Sequence, residues 1–327
     1  MKALALFSGG LDSILSVCLI RQQKVEVEGV CFTSPFFNDA KAQKAAEFLK
    51  IPLFAVDITD KLLALVKSPP HGYGKGANPC IDCHILMIKT AGSLMEKRGA
   101  DFLVSGEVLG ERPKSQPRKA LEIIDRESGL GDLLVRPLTA KNLPPTLPER
   151  EGWIDRDKLM GIKGRSRKIQ LELAERFGVR EFPTPSGGCL LTDPIFSRRI
   201  KFILSFGKLN LNEVELLKIG RHFRLNYKAR VIIGRCKQEN IQIERLATPG
   251  DIILKVKDYP GPTSLFRGMF SEELLMQAAS LTARYSDAPR EKEAVVKYFT
   301  YPTGKIQTIK VKSASEKEIE NLRIENI

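Results

Sequence analysis

The sequence predicts an α/β protein, in which a doubly wound parallel sheet is followed by a second, smaller α+β domain. Short apolar runs alternate with helix-patterned segments over the first hundred residues, and a Gly-Gly turn follows the first apolar run. Such alternation implies a parallel sheet with helices on both faces. The chain of 327 residues is too long for one small core, and its pattern changes near residue 200. We therefore expect domains at residues 1–200 and 201–327.

In the first domain, apolar runs of four to nine residues predict the strands, and apolar positions at helical spacing predict the helices. The predicted strands are 2–7, 25–33, 53–57 and 102–105, and the predicted helices are 12–22, 40–50 and 85–98. The following segment, 110–157, is rich in Pro, Lys, Arg and Glu, with one strand near 133–136. An amphipathic helix at 163–177 completes the domain.

The second domain alternates less regularly and predicts a mixture of short helices and strands. The predicted helices are 211–219 and 272–285, and the predicted strands are 228–233, 241–245, 251–256, 295–299 and 305–311.

The charge balance favours a polyanionic partner. Lys and Arg number 52 against 39 Asp and Glu, a net charge of +13. Nucleic acid is then the expected partner before a membrane surface. The sequence has no apolar stretch of about 18 residues, and its N-terminal apolar run is too short for a secretory signal. We expect no membrane span and a cytoplasmic location, where cysteines suggest metal binding or catalysis before disulfides.

The first predicted strand runs into the loop Ser8-Gly9-Gly10-Leu11-Asp12-Ser13, which the first predicted helix follows. Adjacent glycines let backbone N–H groups converge on an anion, and the helix N-terminus adds a partial charge of roughly +0.5. The loop lacks the Lys-Ser/Thr ending of a Walker A motif, so pyrophosphate is the expected guest. A simple capping turn is the alternative interpretation, which the full six-residue pattern disfavours.

This loop resembles that of the PP-loop, or N-type, ATP pyrophosphatases, which cleave ATP to AMP and pyrophosphate and activate a carbonyl or carboxyl oxygen as an adenylate. The resemblance implies an adenine nucleotide α-hydrolase-like fold with an ATP and Mg²⁺ site. Ligands of such sheets bind beyond the carboxyl ends of the strands. The expected ATP-binding residues are those of the loop and of three strand ends: Phe7, Ser8, Gly9, Gly10, Leu11, Asp12, Ser13, Phe32, Thr33, Ser105, Gly106 and Glu107.

Three cysteines form a second candidate site. Cys80 and Cys83 have metal-ligand spacing in an expected loop, and Cys189 follows a Gly-Gly pair far downstream. Three interpretations compete. The first is c-type haem attachment, which would require export. The second is structural zinc, with His84 or His71 as the fourth ligand. The third is an iron–sulfur cluster on the three thiols, which leaves one iron without a protein ligand.

The remaining cysteines are expected to be small buried apolar residues. Cys18 lies in the first predicted helix, Cys31 on the second predicted strand, and Cys236 near the end of a later strand.

Two further runs resemble tRNA-thiolating enzymes. Residues 78–83, Asn-Pro-Cys-Ile-Asp-Cys, resemble the Asn-Pro-Cys-x-x-Cys run of the tRNA 2-thiouridylases. Residues 104–111, followed by Ser115 and Gln116, resemble the adenylation segment of the tRNA 4-thiouridine synthetases. Both families also carry a functional cysteine well downstream, which Cys189 is positioned to match.

This resemblance implies catalytic roles for Cys80, Cys189 and Asp12. It also implies that Cys80, Cys83 and Cys189 hold a [4Fe–4S] cluster. A persulfide mechanism that uses Cys80 and Cys189, with Cys83 incidental, stays open, as does zinc at the same cysteines.

Basic clusters predict RNA binding. Residues 220–224, 233–235 and 249–251 resemble a small RNA-associated domain that is also attached to ribosome-quality-control factors. Basic side chains interleaved with aromatic ones can hold phosphates and stack bases. Two more basic clusters, 112–119 and 163–168, flank the expected active-site mouth. The expected RNA contacts are Arg112, Lys114, Lys163, Arg165, Arg167, Arg221, Arg224, Lys228 and Arg230.

The motifs together predict an ATP-dependent tRNA sulfurtransferase. A uridine carbonyl oxygen would be adenylated, and sulfur would then displace AMP. The uridine and the sulfur donor (sulfide, a cysteine desulfurase or a sulfur carrier) stay open. One alternative is a PP-loop enzyme that acts on a small molecule and carries structural zinc. The other is a catalytically inactive adaptor that binds ATP and RNA.

Overall fold

The computed structural model describes residues 1–182, 188–206 and 209–326. The chain divides into two compact units, Met1–Thr192 and Asp193–Ile327. The sequence-based division at residue 200 falls inside the helix Pro194–Leu204. This helix belongs to the second unit, where Arg199 forms an ion pair with Glu325. The division between units therefore precedes the helix.

The N-terminal unit contains a parallel sheet with the strand order β3-β2-β1-β4-β5. Successive strands lie to one side of β1 until β3, and the chain then crosses to the other side for β4. The carboxyl ends of β1 and β4 therefore flank the switch point, where open α/β sheets bind ligands. The strands are β1 (Lys2–Leu6), β2 (Glu26–Thr33), β3 (Leu53–Asp57), β4 (Phe102–Ser105) and β5 (Leu134–Val135).

The helices of this unit connect the strands and cover the sheet. Those at 59–67 and 118–128 were not predicted, and together with the sheet the set confirms the α/β class. The helices are α1 (Leu11–Arg21), α2 (Ala40–Leu49), α3 (Thr59–Lys67), α4 (Cys80–Arg98), α5 (Arg118–Ser128), α6 (Leu147–Arg150) and α7 (Lys168–Arg176).

Helix α4 begins at Cys80, five residues earlier than its apolar pattern predicted. Pro79 occupies the N-cap position, where its missing N–H costs no helical hydrogen bond. Ile81, Ile85 and Ile88 follow helical spacing and are all buried, so packing extends the helix back to its first turn. The Cys80–Cys83 pair therefore lies on a helical turn instead of in the expected loop.

The C-terminal unit is built on an antiparallel sheet with the order β11-β10-β8-β9-β7-β6, which confirms a separate α+β domain. Apolar side chains of helix α11 and of the sheet form its main core. The strands are β6 (Arg221–Asn226), β7 (Ala229–Ile233), β8 (Ile252–Val256), β9 (Ser264–Gly268), β10 (Ala294–Thr300) and β11 (Gln307–Val311). The helices are α8 (Pro194–Leu204), α9 (Leu211–Leu217), α10 (Lys237–Arg245), α11 (Glu272–Arg284) and α12 (Glu316–Leu322).

The predicted strand at 241–245 is wrong, because these residues form the second half of α10. Ile241 and Ile243 alternate with polar residues as in a strand, but Ile243 is fully buried whereas Ile241 is 45% exposed. Burial of one of the two isoleucines fits an amphipathic helix, and five residues were too few to distinguish the two periods.

No helix in the described part of the chain is both long and apolar enough to cross a membrane.

Candidate functional site

The loop between β1 and α1 is shaped by a glycine. Gly9 has a φ of +71°, in the left-handed region that favours glycine. A Cβ atom at this position would lie 2.3 Å from the main-chain oxygen of Lys41 in α2. Both the backbone conformation and the close approach of α2 therefore require glycine here.

Two serine hydroxyls close the loop on itself. The backbone N–H of Gly10 donates to Oγ of Ser8 at 3.4 Å, and the hydroxyl of Ser13 donates to the carbonyl of Gly10 at 2.8 Å. Gly10 is the N-cap residue of α1 and receives no side-chain cap, so the first N–H groups of that helix point out of the loop without a side-chain acceptor. This is the arrangement that binds an anion at a helix N-terminus.

The end of β4 packs directly against the loop. A Cβ atom on Gly106 would lie 2.7 Å from the backbone nitrogen of Ser13. The hydroxyl of Ser16, one turn into α1, donates to the carbonyl of Ser105 at 3.5 Å. The structure thus brings two of the predicted strand-end residues, Ser105 and Gly106, against the loop at the switch point of the sheet.

Phe7, Phe32 and Thr33, which were also predicted to bind ATP, differ in burial. The side chain of Phe7 is 1% exposed and belongs to the core under the loop. Phe32 is also buried, whereas Thr33, at the end of β2, is half-buried. The two aromatic rings therefore support the loop from within the core, and Thr33 is the more accessible of the three.

Glu107 belongs to an ion-pair network with His84, Arg136 and Asp125. Its carboxylate accepts hydrogen bonds from Nδ1 of His84 at 2.7 Å and from Nε of Arg136 at 2.9 Å. Arg136 also donates to both oxygens of Asp125, at 2.7 and 3.1 Å. Burial raises the pKa of Glu107, but Arg136 and His84 outweigh it and lower the pKa to about 2. Both oxygens of the predicted ATP ligand are thus engaged within the protein.

The charge on Glu107 determines the tautomer of His84. An ionised carboxylate can only accept, so Nδ1 of His84 is the donor. Nε2 is then an acceptor unless the ring is protonated. Because His84 follows Cys83 in α4, a proton acceptor lies beside the cysteine pair. From the sequence, His84 was expected only as a possible metal ligand. No local pattern could have revealed its hydrogen bond to Glu107, because the two residues lie far apart in the chain.

Asp12 belongs to a second cluster of charged side chains. Burial raises its pKa, and the guanidinium charges of Arg167 and Arg112 oppose the rise. Glu111 experiences the same forces: burial and the charge of Asp12 raise its pKa, and Arg112 and Arg167 oppose them. Gln170 donates from its amide nitrogen to Glu111 at 3.5 Å. Two carboxylates and two guanidiniums therefore surround the start of α1.

The three predicted cysteine ligands come together in the N-terminal unit. The thiols of Cys80 and Cys189 act electrostatically on that of Cys83, and Cys80 also acts on Cys189. Main-chain hydrogen bonds hold the segment after Cys189 in place. The N–H of Leu190 donates to the carbonyl of Phe36 at 2.9 Å, and the N–H of Ala77 donates to the carbonyl of Leu191 at 3.1 Å.

Burial keeps these thiols protonated. It raises the pKa of Cys83 strongly and that of Cys189 to about 12. It also raises the pKa of Cys80, but there a backbone hydrogen bond and the charges of Lys114 and Arg112 oppose the rise. Cys80 is therefore the thiol most exposed to cationic stabilisation, which favours the thiolate that acts as nucleophile or ligand.

The donor set fits an iron–sulfur cluster in its chemistry, because three neighbouring thiols are typical cluster ligands. Among the described residues, however, no group of three or more His, Cys, Asp or Glu side chains is arranged to hold a metal ion. Of the two histidines expected as a fourth zinc ligand, His84 has only Nδ1 engaged, by Glu107, within the part of the chain that the structure describes, whereas His71 has both ring nitrogens engaged. Nδ1 of His71 bonds to Asp82 at 2.7 Å and its Nε2 pairs with Glu127 at 3.2 Å.

Arg112 links the phosphate loop to the cysteines. Its charge acts on the carboxyls of Asp12 and Glu111 and also on the thiol of Cys80. Contacts join the same two places: Gly106 packs against Ser13 of the loop, and Glu107 bonds to His84, one turn after Cys80 in α4. The run from 104 to 116 that resembles an adenylation segment carries these connecting residues.

The other cysteines differ in burial. Cys31 is buried in the sheet as expected, and Cys18 is half-buried on α1. The expectation of a buried Cys236 is wrong, because this residue is exposed. It is the N-cap residue of α10, at the surface end of a helix that was mistaken for a strand.

The predicted RNA contacts differ in their exposure to solvent. Lys163, Arg165 and Arg112 are exposed in the N-terminal unit, and Lys114 and Arg167 are half-buried. In the C-terminal unit, Lys228 is exposed, and Arg221 and Arg224 are half-buried.

Arg230 is the one buried residue among the nine predicted RNA contacts. It is 3% exposed, and its guanidinium forms an ion pair with the buried Glu213. Its basic neighbourhood in the sequence concealed its burial on β7, which lies between β9 and β6 in the sheet. The side chain is structural in this unit.

A cavity of about 530 Å³ lies beside α5 in the N-terminal unit. Its lining includes Arg118, Asp125, Arg136 and Glu149, but none of the predicted ATP-binding residues or cysteines. It borders the ion-pair network of Glu107 through Arg136 and Asp125, so the size of a cavity does not identify the chemistry here.

Two family models match separate parts of the chain. Residues 1–142 match the family described as thiamine biosynthesis protein (ThiI). Residues 220–323 match the family described as NFACT protein RNA binding domain. The chain joins a ThiI-family domain to an NFACT-type domain. Both resemblances predicted from the motifs, to the PP-loop tRNA-thiolating enzymes and to a small RNA-associated domain, are confirmed.

Curated relatives match about a third of the chain. The tRNA-specific 2-thiouridylase MnmA of Sulfurimonas denitrificans is 32% identical over 120 residues, covering 33% of this chain and 35% of the relative. A probable tRNA sulfurtransferase of Thermoanaerobacter sp. is 31% identical over 119 residues, covering 34% of this chain and 30% of the relative. The chain thus spans about a third of the length of the curated relatives it matches.

Among solved structures, a 4-thiouridine synthetase in complex with RNA and bound ATP matches with a TM-score of 0.36 and 21% identity. The match covers 54% of this chain and 50% of that chain. This similarity is too weak to carry an inference about the present chain.

Proposed function

We propose that this ThiI-family protein is an ATP-dependent tRNA sulfurtransferase that converts a uridine carbonyl to a thiocarbonyl. The observation that carries the proposal is the segment Gly106–Glu107, which packs against Ser13 of the phosphate loop and bonds to His84, one turn after Cys80 in α4. An oxygen-activating site and a sulfur-handling site would then act on the same atom. The match of residues 1–142 to the ThiI family model and the similarity to a probable tRNA sulfurtransferase over 119 residues support the substrate class.

In the first step, the uridine carbonyl oxygen forms a bond to the α-phosphorus of ATP. The bond from that phosphorus to the bridging oxygen breaks, and pyrophosphate leaves. The N–H groups at the start of α1 and the hydroxyls of Ser8 and Ser13 would stabilise the charge that develops on pyrophosphate. Asp12 would hold Mg²⁺, because a half-buried carboxylate beside phosphates is a typical oxygen ligand for that ion.

In the second step, hydrosulfide forms a bond to the activated ring carbon, and the carbon–oxygen bond breaks to release AMP. The S–H proton needs an acceptor, and Nε2 of His84 is available because Nδ1 is donated to Glu107. No oxidant or reductant is consumed, since the sulfur enters and leaves at the sulfide level. A [4Fe–4S] cluster on Cys80, Cys83 and Cys189 would supply an iron at which hydrosulfide is held.

RNA binding is proposed for the NFACT-type domain. Tyr227 is 69% exposed at the β6–β7 turn, and Nζ of the neighbouring Lys228 lies 5.4 Å from the centre of its ring. An exposed aromatic ring beside a cation suits base stacking next to a phosphate contact. We also propose that the protein is located in the cytoplasm.

The test is reconstitution under anaerobic conditions with ATP, Mg²⁺, tRNA and sulfide, followed by mass spectrometry of the tRNA nucleosides. We expect a new thionucleoside and an equal amount of AMP. Cys189→Ala should lose thiolation, and the exposed Cys236→Ala should keep it as the matched control. Undiminished thiolation by Cys189→Ala would refute the three-cysteine site.

The colour of the purified protein separates the alternatives at the cysteines. A cluster protein is brown and loses its absorbance in Cys83→Ala, whereas a zinc protein is colourless. A persulfide mechanism predicts that Cys83→Ala thiolates normally without any chromophore. Mass spectrometry of tRNA from cells that lack the gene then identifies the modified uridine.

A further inference from the structure

The phosphate loop needs more positive charge than it contains. The segment from Ser8 to Ser13 has no lysine or arginine, and its one charged residue is Asp12. A helix N-terminus supplies only about half a unit of positive charge. The triphosphate of ATP carries several negative charges, so cations must reach the loop from elsewhere in the fold.

Two arginines reach the loop from separate segments. Arg112 follows β4, and Arg167 is the N-cap residue of α7. The N–H of Gly164 donates to the carbonyl of Leu109 at 2.7 Å, which fixes the two segments side by side. Helix α7 also packs against α1, the helix that begins at the loop. Both guanidinium charges act on the carboxyl of Asp12.

Several buried polar atoms at this place have no partner. They are Oδ1 of Asp12, Nε of Arg167 and Oε1 of Gln170, and none has a hydrogen-bond partner among the residues that the structure describes. The side chain of Gln170 is completely buried. Because a buried polar atom without a partner costs free energy, three of them at one place indicate a surface built for a polar ligand.

Neither arginine is neutralised within the protein. In the described part of the chain, no carboxylate forms an ion pair with Arg112 or Arg167, although Asp12 and Glu111 are near enough to be affected by both. An arginine that serves only the fold is normally paired, as Arg136 is with Glu107 and Asp125. The free N–H groups of a guanidinium match phosphate oxygens in geometry and charge.

We propose that Arg112 and Arg167 bind the β- and γ-phosphates of ATP at the Ser8–Ser13 loop, instead of contacting RNA as their basic neighbourhoods predicted. The inference rests on the proposed ATP chemistry and assigns to this chain the cations that its loop lacks. Arg167 and Gln170 lie outside residues 1–142, which match the ThiI family model. Gln170 is buried in the first turn of α7, whose N-cap residue is Arg167, and its amide donates to Glu111.

The experiment measures the binding of ATP and of inorganic pyrophosphate by isothermal titration calorimetry, with Mg²⁺ and without RNA. Loss of one charge-assisted contact should raise the Kd for both ligands about ten- to one-hundred-fold in Arg167→Ala and in Arg112→Ala. Arg167→Lys should lose less, because the charge remains. Arg176→Ala is the matched control: it removes an exposed arginine from the last turn of the same helix, and its Kd should equal that of the wild type.

Binding of tRNA to the same variants distinguishes the two roles. The inference predicts an unchanged affinity for RNA in Arg167→Ala without ATP. It is overturned if Arg167→Ala binds ATP and pyrophosphate as the wild type does, or if both variants lose affinity for RNA only. If Arg167→Ala fails to fold, the exposed Arg112→Ala decides the question.

Failure of the proposed function has a different signature. A wild-type protein that binds pyrophosphate through Arg167 but thiolates no tRNA would refute the function and leave this inference standing. A protein that thiolates tRNA while Arg167→Ala keeps its affinity for ATP would refute the inference alone. A wild-type protein that binds neither ATP nor pyrophosphate would refute both.

Discussion

Replacing Arg136 by methionine should destabilise the N-terminal unit in a pH-dependent way. Glu107 is fully buried, and its pKa is lowered from 4.5 to about 2. At about 1.4 kcal/mol per pKa unit, the ionised carboxylate stabilises the folded unit by about 3 kcal/mol. Because the folded pKa lies below the unfolded one, this contribution is complete above pH 4.5 and is lost as the pH falls towards 2.

Arg136→Met removes the guanidinium, which opposes the burial of Glu107 more strongly than the hydrogen bond from His84 does. At pH 7 we expect a loss of about 3–5 kcal/mol in the free energy of unfolding, since a buried carboxylate is left without its partner. The loss should shrink below pH 4.5, where Glu107 can become protonated. The double variant Arg136→Met with Glu107→Gln should recover part of the stability at pH 7.

Trp153 makes the measurement specific to this unit. It is the single tryptophan of the chain, and its ring centre lies 6.4 Å from that of Phe102 in β4. Its fluorescence during urea unfolding at several pH values therefore reports on the N-terminal unit. Arg150→Met, which breaks the exposed pair with Asp132, is the control and should change little. A loss below about 1 kcal/mol for Arg136→Met at pH 7, or an equal loss at pH 7 and pH 4, would refute the reasoning.

Three further predictions test other parts of the fold. Gly9→Ala should destabilise the protein by about 2 kcal/mol or more and abolish binding of ATP, because its Cβ would clash with the main chain of Lys41. Gly10→Ala should have a small effect on stability. Calorimetric melting and titration with ATP measure the two effects. Arg230→Met should cost about 1–3 kcal/mol, because the buried carboxylate of Glu213 loses one of its two arginine partners and keeps Arg267. Lys228→Ala should keep its stability and reduce the salt slope of RNA binding by about 0.7. Burial lowers the pKa of His222 well below 6.5, so the C-terminal unit should lose up to about 1.4 kcal/mol per pH unit below pH 6.5. His222→Gln should flatten that dependence in unfolding followed by circular dichroism.

The strands near the loop could be predicted because local pattern and tertiary burial agree there. Ala3, Leu4 and Ala5 form a continuous apolar run and lie on the central strand, where both faces of the sheet are covered. Helix α5 was missed although Leu121 and Ile124 have helical spacing, since the surrounding charges and prolines indicated a loop.

The candidate site was predictable where its chemistry is contiguous in sequence. The loop and the Cys80–Cys83 pair are short motifs, and Arg112 lies in a recognisable run. The network of His84, Glu107 and Arg136 was not predictable, because three separate elements supply its members and only the register of β4 and β5 brings them together. The burial of Arg230 likewise depends on strand pairing that the local pattern does not contain.

The division of the chain after Thr192 leaves Cys189 on the N-terminal side by three residues. The hydrogen bonds that anchor the segment after it, to Phe36 and Ala77, also stay within that side. Every residue proposed for chemistry is therefore encoded in one contiguous stretch of gene. On the proposed function, recombination that exchanged the NFACT-type domain for another module would transfer none of these residues, so the proposed chemistry would be inherited intact.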